Sequence, residues 1–349
     1  MTALWDYADF DEHEGVHIFR DHAAGMTAII AVHSTALGPA AGGTRFWHYA
    51  DGDRAVTDAL RLSRGMSFKN AMAGLPMGGG KAVLLANVDN MKSPELLVAF
   101  GQAVESLGGT YVTAQDVGMS TADMVAIRAE TRHVAGLPAG TGAAGGDPGP
   151  TTALGVYLGV KAAVRRALKR DTVDGVHVAI QGVGSVGGGL ARRLAAEGAR
   201  LTLADVDQER AEALASELGG RTVDTADILR VDADVISPCA LGAILDADTI
   251  AALSAPILAG GANNQLATPE DGARLHGRGI LYAPDYVINA GGIINVGLEY
   301  LGQGDRAEVE ARVAQIPARL DQIWEESAAT GDSAATVADR IAMRLIGRA

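Results

Sequence analysis

Three residues in the first 120 carry the types and spacing that proton chemistry needs. Lys69 and Lys81 lie twelve residues apart in GMSFKNAMAGLPMGGGKAV, and Asp116 follows in TAQDVG. Two ammonium groups facing one cleft disfavour each other's protonation, and desolvation acts in the same direction. One amine can then act as a base near neutral or mildly alkaline pH while the other stays a cationic anchor for a carboxylate. Asp116 closes the apolar run TYVTA, and α/β proteins place their chemistry at such strand ends. Three glycines before Lys81 cost backbone entropy unless something must approach closely there.

The elements that must hold these residues alternate between strand and helix. MTAIIAVHS (26–34), AVLLA (82–86) and TYVTA (110–114) read as strands, VTDALRLSRGM (56–66) and SPELLVAFGQAVESL (93–107) as helices, and Ser120 as the cap of a further helix. AGTGAAGGDPGP (139–150) has no apolar period and reads as a linker with hinge-like residues. Beyond it, VHVAIQ, RLTLA, ADVIS, APILAG and ILYA are short buried-type strands separated mostly by helical segments, the rhythm of a doubly wound parallel sheet. The expected domains are residues 1–145 for catalysis and substrate and 146–324 for a Rossmann dinucleotide-binding fold. The terminal helix, from about residue 325 to 349, is expected to return to the first domain. The fold class is therefore α/β, with the active site expected in the interdomain cleft.

Gly182-Val-Gly184-Ser185-Val186-Gly187 follows the strand VHVAIQ and opens the helical run GGLARRLAAEG. In that context the glycines give a tight turn, close approach to a pyrophosphate and close helix packing, with the helix N-terminus facing the anion. Asp205 ends the next strand, where its carboxylate accepts from an adenosine ribose and repels a 2′-phosphate, which favours NAD over NADP. Cys239 and Ala240, beside another strand end, complete the expected cofactor surroundings, the Cys239 thiol itself reading as a packing group. PMGGGKA is not a mononucleotide-binding loop: Leu75 stands where its first glycine belongs, and Ala82 where magnesium needs a hydroxyl.

Composition narrows the class. The 349 residues are 48% hydrophobic and 4% aromatic with net charge −13, which opposes nucleic acid or an anionic membrane as a partner. One cysteine allows no internal disulfide, no His or Cys cluster has metal-ligand spacing, and the acidic opening MTALWDYADFDEHEG does not resemble a secretory signal. A cytoplasmic location without metal is expected.

Longer motifs extend over nearly the whole chain: HSTALGPAAGGTRFW, RLSRGMSFKNAMAGLPMGGGKAV, YVTAQDVG, PTTALGVYLGVKAA, SPCALGAIL, GGANNQL and GILYAPDYVINAGGIINV. In these the chain resembles the amino acid dehydrogenases acting on leucine, valine and phenylalanine, a branch of the glutamate dehydrogenase superfamily, and most of all the branched-chain enzymes. The resemblance implies that Lys69 binds the substrate carboxylate with the backbone at Gly43, that Lys81 acts on water and the carbinolamine, and that Asp116 exchanges protons with the amino group. It further implies that Thr152 and Asn263 meet the nicotinamide, that Asn264 meets the substrate, and that Ala41, Met66, Ala114, Ile293 and Val296 line an apolar pocket with no cation for a second carboxylate. The implied reaction is reversible NAD-dependent oxidation of leucine, valine or isoleucine to the 2-oxo acid and ammonium, by a homo-oligomer. Phenylalanine as substrate and a non-catalytic NAD sensor are the alternatives. A 2-hydroxy acid dehydrogenase would need a histidine acid/base and an arginine clamp in a matching motif, and neither is evident.

Overall fold

The computed structural model describes residues 3–86, 92–138, 140, 142–240, 242–302 and 304–348. Ala139 and Thr141 of the expected linker, Leu241 of the SPCALGAIL motif and the terminal Ala349 lie outside them. The chain forms two compact units, one of residues 1–147, 293–308 and 342–349, the other of residues 148–292 and 309–341. The first division thus falls two residues beyond the expected 145. Residues 293–308 belong with the first unit rather than the second, and the final return comes at 342 rather than near 325.

The first unit is built on β1 (Gly15–Asp21), β2 (Met26–Ser34), β3 (Ala40–Trp47), α1 (Gly52–Met72), β4 (Gly78–Leu85), α2 (Pro94–Ser106), β5 (Tyr111–Gln115) and α3 (Thr121–Arg128). Its sheet has the order β1-β2-β4-β3-β5, antiparallel across β1, β2 and β4 and parallel across β4, β3 and β5. The two-residue period of β2 sorts its side chains to the two faces. Ile29 and Ala31 pack with Ala55, Ala59 and Leu60 of α1, while Ala28, Ile30 and Val32 pack with Leu96 and Phe100 of α2 and with Met124 and Ile127 of α3. Three layers result, with β4 buried along nearly its whole length.

The second unit contains α4 (Gly149–Leu168), β6 (His177–Gln181), α5 (Ser185–Ala196), β7 (Arg200–Ala204), α6 (Gln208–Leu218), β8 (Arg221–Thr222), β9 (Val235–Pro238), α7 (Ala247–Ala252), β10 (Ile257–Leu258), α8 (Pro269–Gly277), β11 (Leu281–Tyr282) and α9 (Asp285–Ile288). The remaining helices are α10 (Gly291–Tyr300), α11 (Arg306–Val313), α12 (Ile316–Thr330) and α13 (Ala334–Leu345). The units divide inside α10, α11 and α13. The second sheet is parallel throughout, in the order β11-β10-β9-β6-β7-β8. The switch lies at β6, where connections leave toward β7 on one side and β9 on the other, so the fold is a doubly wound Rossmann sheet.

The Gly- and Pro-rich segment is not without structure. Gly145 exchanges two 2.9 Å hydrogen bonds with the Asn295 amide, and α4 begins at Gly149. Among the described residues, no helix is long and apolar enough to cross a membrane.

Candidate active site

The site on the first unit starts from α1. Asp51 caps it by accepting from the Arg54 N–H at 2.8 Å, a stabilising use of a short polar side chain, and its last turn carries Lys69, half-buried. The three glycines before Lys81 are the first residues of β4. A Cβ on Gly79 would overlap the Ser67 backbone nitrogen, and one on Gly80 would come within 2.7 Å of the Tyr111 ring. Glycine here lets α1 lie directly on the strand that carries Lys81, the close approach for which the entropic cost is tolerated.

Lys81 is 5% exposed, and its Nζ donates to Asp116 Oδ2 in a short ion pair. Burial pushes the Lys81 ammonium below its ordinary value, the Asp116 carboxylate opposes this, and the Arg45 guanidinium adds to it. The Arg45 guanidinium is thus one neighbouring cation that acts on Lys81. Burial alone would raise the Asp116 carboxyl, but Lys81 and then Arg45 outweigh it and hold the group ionised below its usual range. Asp116 reaches its place because Gly43, paired with Ala114 across β3 and β5, has no side chain: a Cβ there would stand 2.8 Å from Asp116 Cβ. Beyond Asp116 the chain turns at Gly118 (φ +79°), whose carbonyl accepts from Lys92 Nζ at 2.8 Å.

Beside this pair is an apolar wall. Ala41, Leu75, Met77, Val112, Ala135 and Val296 form one buried cluster, with Ala114 and Ile293 packed against it. The Met66 side chain lies over Gly42, with Cγ 3.1 Å from where a Cβ would sit. The expected pocket residues from β3, β5 and α10 therefore share one apolar cluster. Among the described residues, no group of His, Cys, Asp and Glu is arranged to hold a metal.

On the second unit the fingerprint forms the turn from β6 to α5. Gly182 has φ +87°, a Cβ on Gly187 would overlap the Gly182 carbonyl oxygen, and a Cβ on Gly184 would meet nothing within 4 Å. α5 begins at Ser185, which is exposed, and Val186 follows in its first turn. The N-cap Gly184 has no side chain to cap the helix start, and the space where its Cβ would sit is open. Such a helix start fits a pyrophosphate, and the residues present suit a dinucleotide.

Ala240 abuts Gly182, and Cys239 lies against Gly187 with its Sγ accepting from the Gly261 N–H at 3.4 Å. Burial raises the thiol, which matches a packing role. The Thr152 hydroxyl donates to the Pro148 carbonyl at 2.8 Å within α4, leaving its oxygen able to accept. Asn263 accepts from the Asn289 amide at 2.8 Å, and Asn264 sits in the left-handed region (φ 50°), both exposed.

Sequence reasoning missed the residues behind Asp116. Arg45, Asp58 and Tyr49 join it in a charged network, and the available signal was Arg45 inside the GGTRFW motif, one turn of strand beyond Gly43.

Comparison with known proteins gives the family. Residues 13–133 match the Glu/Leu/Phe/Val dehydrogenase dimerisation domain, and residues 201–349 match the glutamate/leucine/phenylalanine/valine dehydrogenase domain. The chain is 43% identical over 345 residues to leucine dehydrogenase from Bacillus subtilis, covering 99% of this chain and 94% of that one. It is 45% identical over 346 residues to valine dehydrogenase from Streptomyces albus, covering 98% and 94%. The crystal structure of L-tryptophan dehydrogenase from Nostoc punctiforme superposes with a TM-score of 0.85 at 42% identity, over 96% of each chain. The chain belongs to the Glu/Leu/Phe/Val dehydrogenase family.

Proposed function

We propose that this protein is an NAD-dependent amino acid dehydrogenase that reversibly oxidises leucine, valine or isoleucine to the 2-oxo acid and ammonium. The observation that carries the reading is the buried Lys81 paired to Asp116 beside an apolar wall. A nicotinamide, when bound, accepts or returns the hydride. The chain's own residues do the rest. Lys69 holds the substrate carboxylate as a fixed cation, with the Gly43 backbone beside it. Lys81, made less basic by burial, takes a proton from water as it adds to the imine and manages the protons of the carbinolamine. Asp116 exchanges a proton with the substrate nitrogen as ammonia leaves. Overall, amino acid, NAD and water give 2-oxo acid, ammonium, NADH and a proton.

On the cofactor unit, Gly182, Gly184, Ser185, Val186 and Gly187 take the pyrophosphate and Asp205 the adenosine ribose. Thr152, Cys239, Ala240 and Asn263 surround the nicotinamide half, and Asn264 meets the substrate. The preference for NAD follows from the negative charge of Asp205, which repels a 2′-phosphate. The apolar wall of Ala41, Ala114, Ile293 and Val296 offers no cation for a second carboxylate, which supports an aliphatic substrate over glutamate. We also place the protein in the cytoplasm as a homo-oligomer, in keeping with a family segment described as a dimerisation domain.

The test follows NADH absorbance with purified protein, ammonium and the 2-oxo acids of leucine, isoleucine, valine and phenylalanine. Fast ammonium-dependent oxidation with the branched-chain acids is expected. No oxidation with any apolar 2-oxo acid would leave a cofactor-binding sensor as the reading, and a dominant aromatic acid would replace the substrate class.

A further inference from the structure

Asp116 has a second cation within reach. Arg45 Nε on β3 stands 3.5 Å from Asp116 Oδ2, and this nitrogen is a buried donor with no hydrogen-bond partner. The other end of the guanidinium is fixed. Nη1 donates to Asp58 Oδ2 on α1 at 2.7 Å, the Tyr49 hydroxyl donates to the same oxygen at 2.6 Å, and Arg61 Nη2 reaches Oδ1 at 3.3 Å. A buried N–H left unpaired is unfavourable. Its retention beside a carboxylate that already has a partner points to use in another state of the site, since catalytic hydrogen bonds often tighten only when the complex forms.

We propose that Arg45 is a positioning residue for the dehydrogenase reaction: its Nε is the second seat of the Asp116 carboxylate, occupied when Lys81 is neutral, and Asp58 holds Arg45 ready for it. The inference rests on the functional reading above. Once Lys81 has lost its proton it no longer supplies a counter-charge, and a half-buried carboxylate without one tends to protonate. A protonated Asp116 is unable to take a proton from the substrate nitrogen. Arginine stays charged throughout the working pH range, so it keeps Asp116 ionised and aimed while the lysine changes state. Around this group stand Lys81 on β4, Asp116 after β5, Arg45 on β3, Asp58 and Arg61 on α1, and the phenols of Tyr49 and Tyr111. The Arg45 charge lowers the basicity of both Lys81 and Asp116, so its removal raises both.

The test measures the pH profiles of kcat and KM for amino acid oxidation in the wild type, Arg45→Gln and Arg45→Lys, with thermal melting as a check on folding. For Arg45→Gln, kcat falls at least about tenfold while KM for the amino acid changes little, and the rising limb of the profile moves to higher pH, because Lys81 holds its proton longer. Arg45→Lys keeps the limb at the wild-type pH but loses part of kcat, because one ammonium cannot serve Asp58 and Asp116 together as a planar fork does. Should the glutamine variant fail to fold, the lysine variant decides alone, and a kcat equal to wild type overturns the proposal. A folded Arg45→Gln with an unmoved pH profile overturns it as well. An inactive wild type would instead remove the dehydrogenase reading, and with it this one.

Discussion

Asp205 Oδ2 accepts a 2.7 Å hydrogen bond from the backbone N–H of Val183, in the middle of the glycine loop, while Oδ1 accepts from the Asp207 N–H at 2.9 Å. The acid at the end of β7 thus braces the turn at the end of β6 as well as offering negative charge where we propose that the ribose binds. Arg210 waits nearby, 2.7 Å from Asp207 and 3.9 Å from Asp205. Replacing Asp205 with Ala removes the brace and the repulsion and leaves Arg210, still paired with Asp207, as the nearby cation that a 2′-phosphate could meet. The expected result is a higher KM for NAD and a ratio of NAD to NADP efficiency that falls by about tenfold or more, with KM for the amino acid changing less. Steady-state kinetics with both cofactors check this, and an unchanged ratio would take Asp205 out of cofactor selection.

Lys81 stands among the residues that most constrain the first unit, because its ammonium is the close partner of Asp116 and its strand is buried on both faces. Lys81→Ala is expected to lower kcat by roughly a hundredfold to ten thousandfold, the range for loss of a positioned acid or base. NADH binding, followed by its fluorescence, is expected to persist, since the glycine loop and Asp205 belong to the other unit. Turnover near the wild-type rate would remove Lys81 from the reaction.

How much of this could be read from the sequence depended on whether a residue's neighbours were local. β2 and β7 were legible to the residue, because each is a short run rich in apolar and β-branched residues. β3 was not, since AAGGTRFW mixes glycine with a charge, and its place between β4 and β5 depends on partners far along the chain. β1 was missed for the same reason: its exposed and half-buried residues show pattern only once β2 lies beside it. The triple glycine before Lys81 signalled close approach, yet whether it formed loop or strand was set by α1, which covers it. Lys81, Asp116 and the fingerprint were found through motifs. Arg45 and Asp58 were not, because their meaning comes from an ion pair between a strand and a helix thirteen residues apart.

A second buried cluster joins the two ends of the chain within the first unit. His33 sits fully buried with Nδ1 2.7 Å from Ser67 Oγ, while Arg348 Nη1 lies 2.9 Å from His33 Nε2 and donates to the Asp11 carbonyl at 2.8 Å. Arg348 Nη2 donates to the carbonyls of Glu12 at 3.0 Å and His33 at 2.7 Å. Burial first, then the charges of Arg348 and His13, push the imidazole down to about 4, against the pull of Asp11. Below the ordinary histidine value the unfolded chain binds a proton that the folded chain refuses, so stability is lost as the pH falls from about 6.5 toward 4. Over that window the loss from this one group approaches about 3 kcal/mol. His33→Asn is therefore expected to melt below the wild type at pH 7 but to lose less on acidification to pH 4.5, so the two melting curves converge. Thermal melting across this pH range checks it, and curves that stay parallel would show that the acid sensitivity arises elsewhere, His13 being the next candidate because burial lowers it as well.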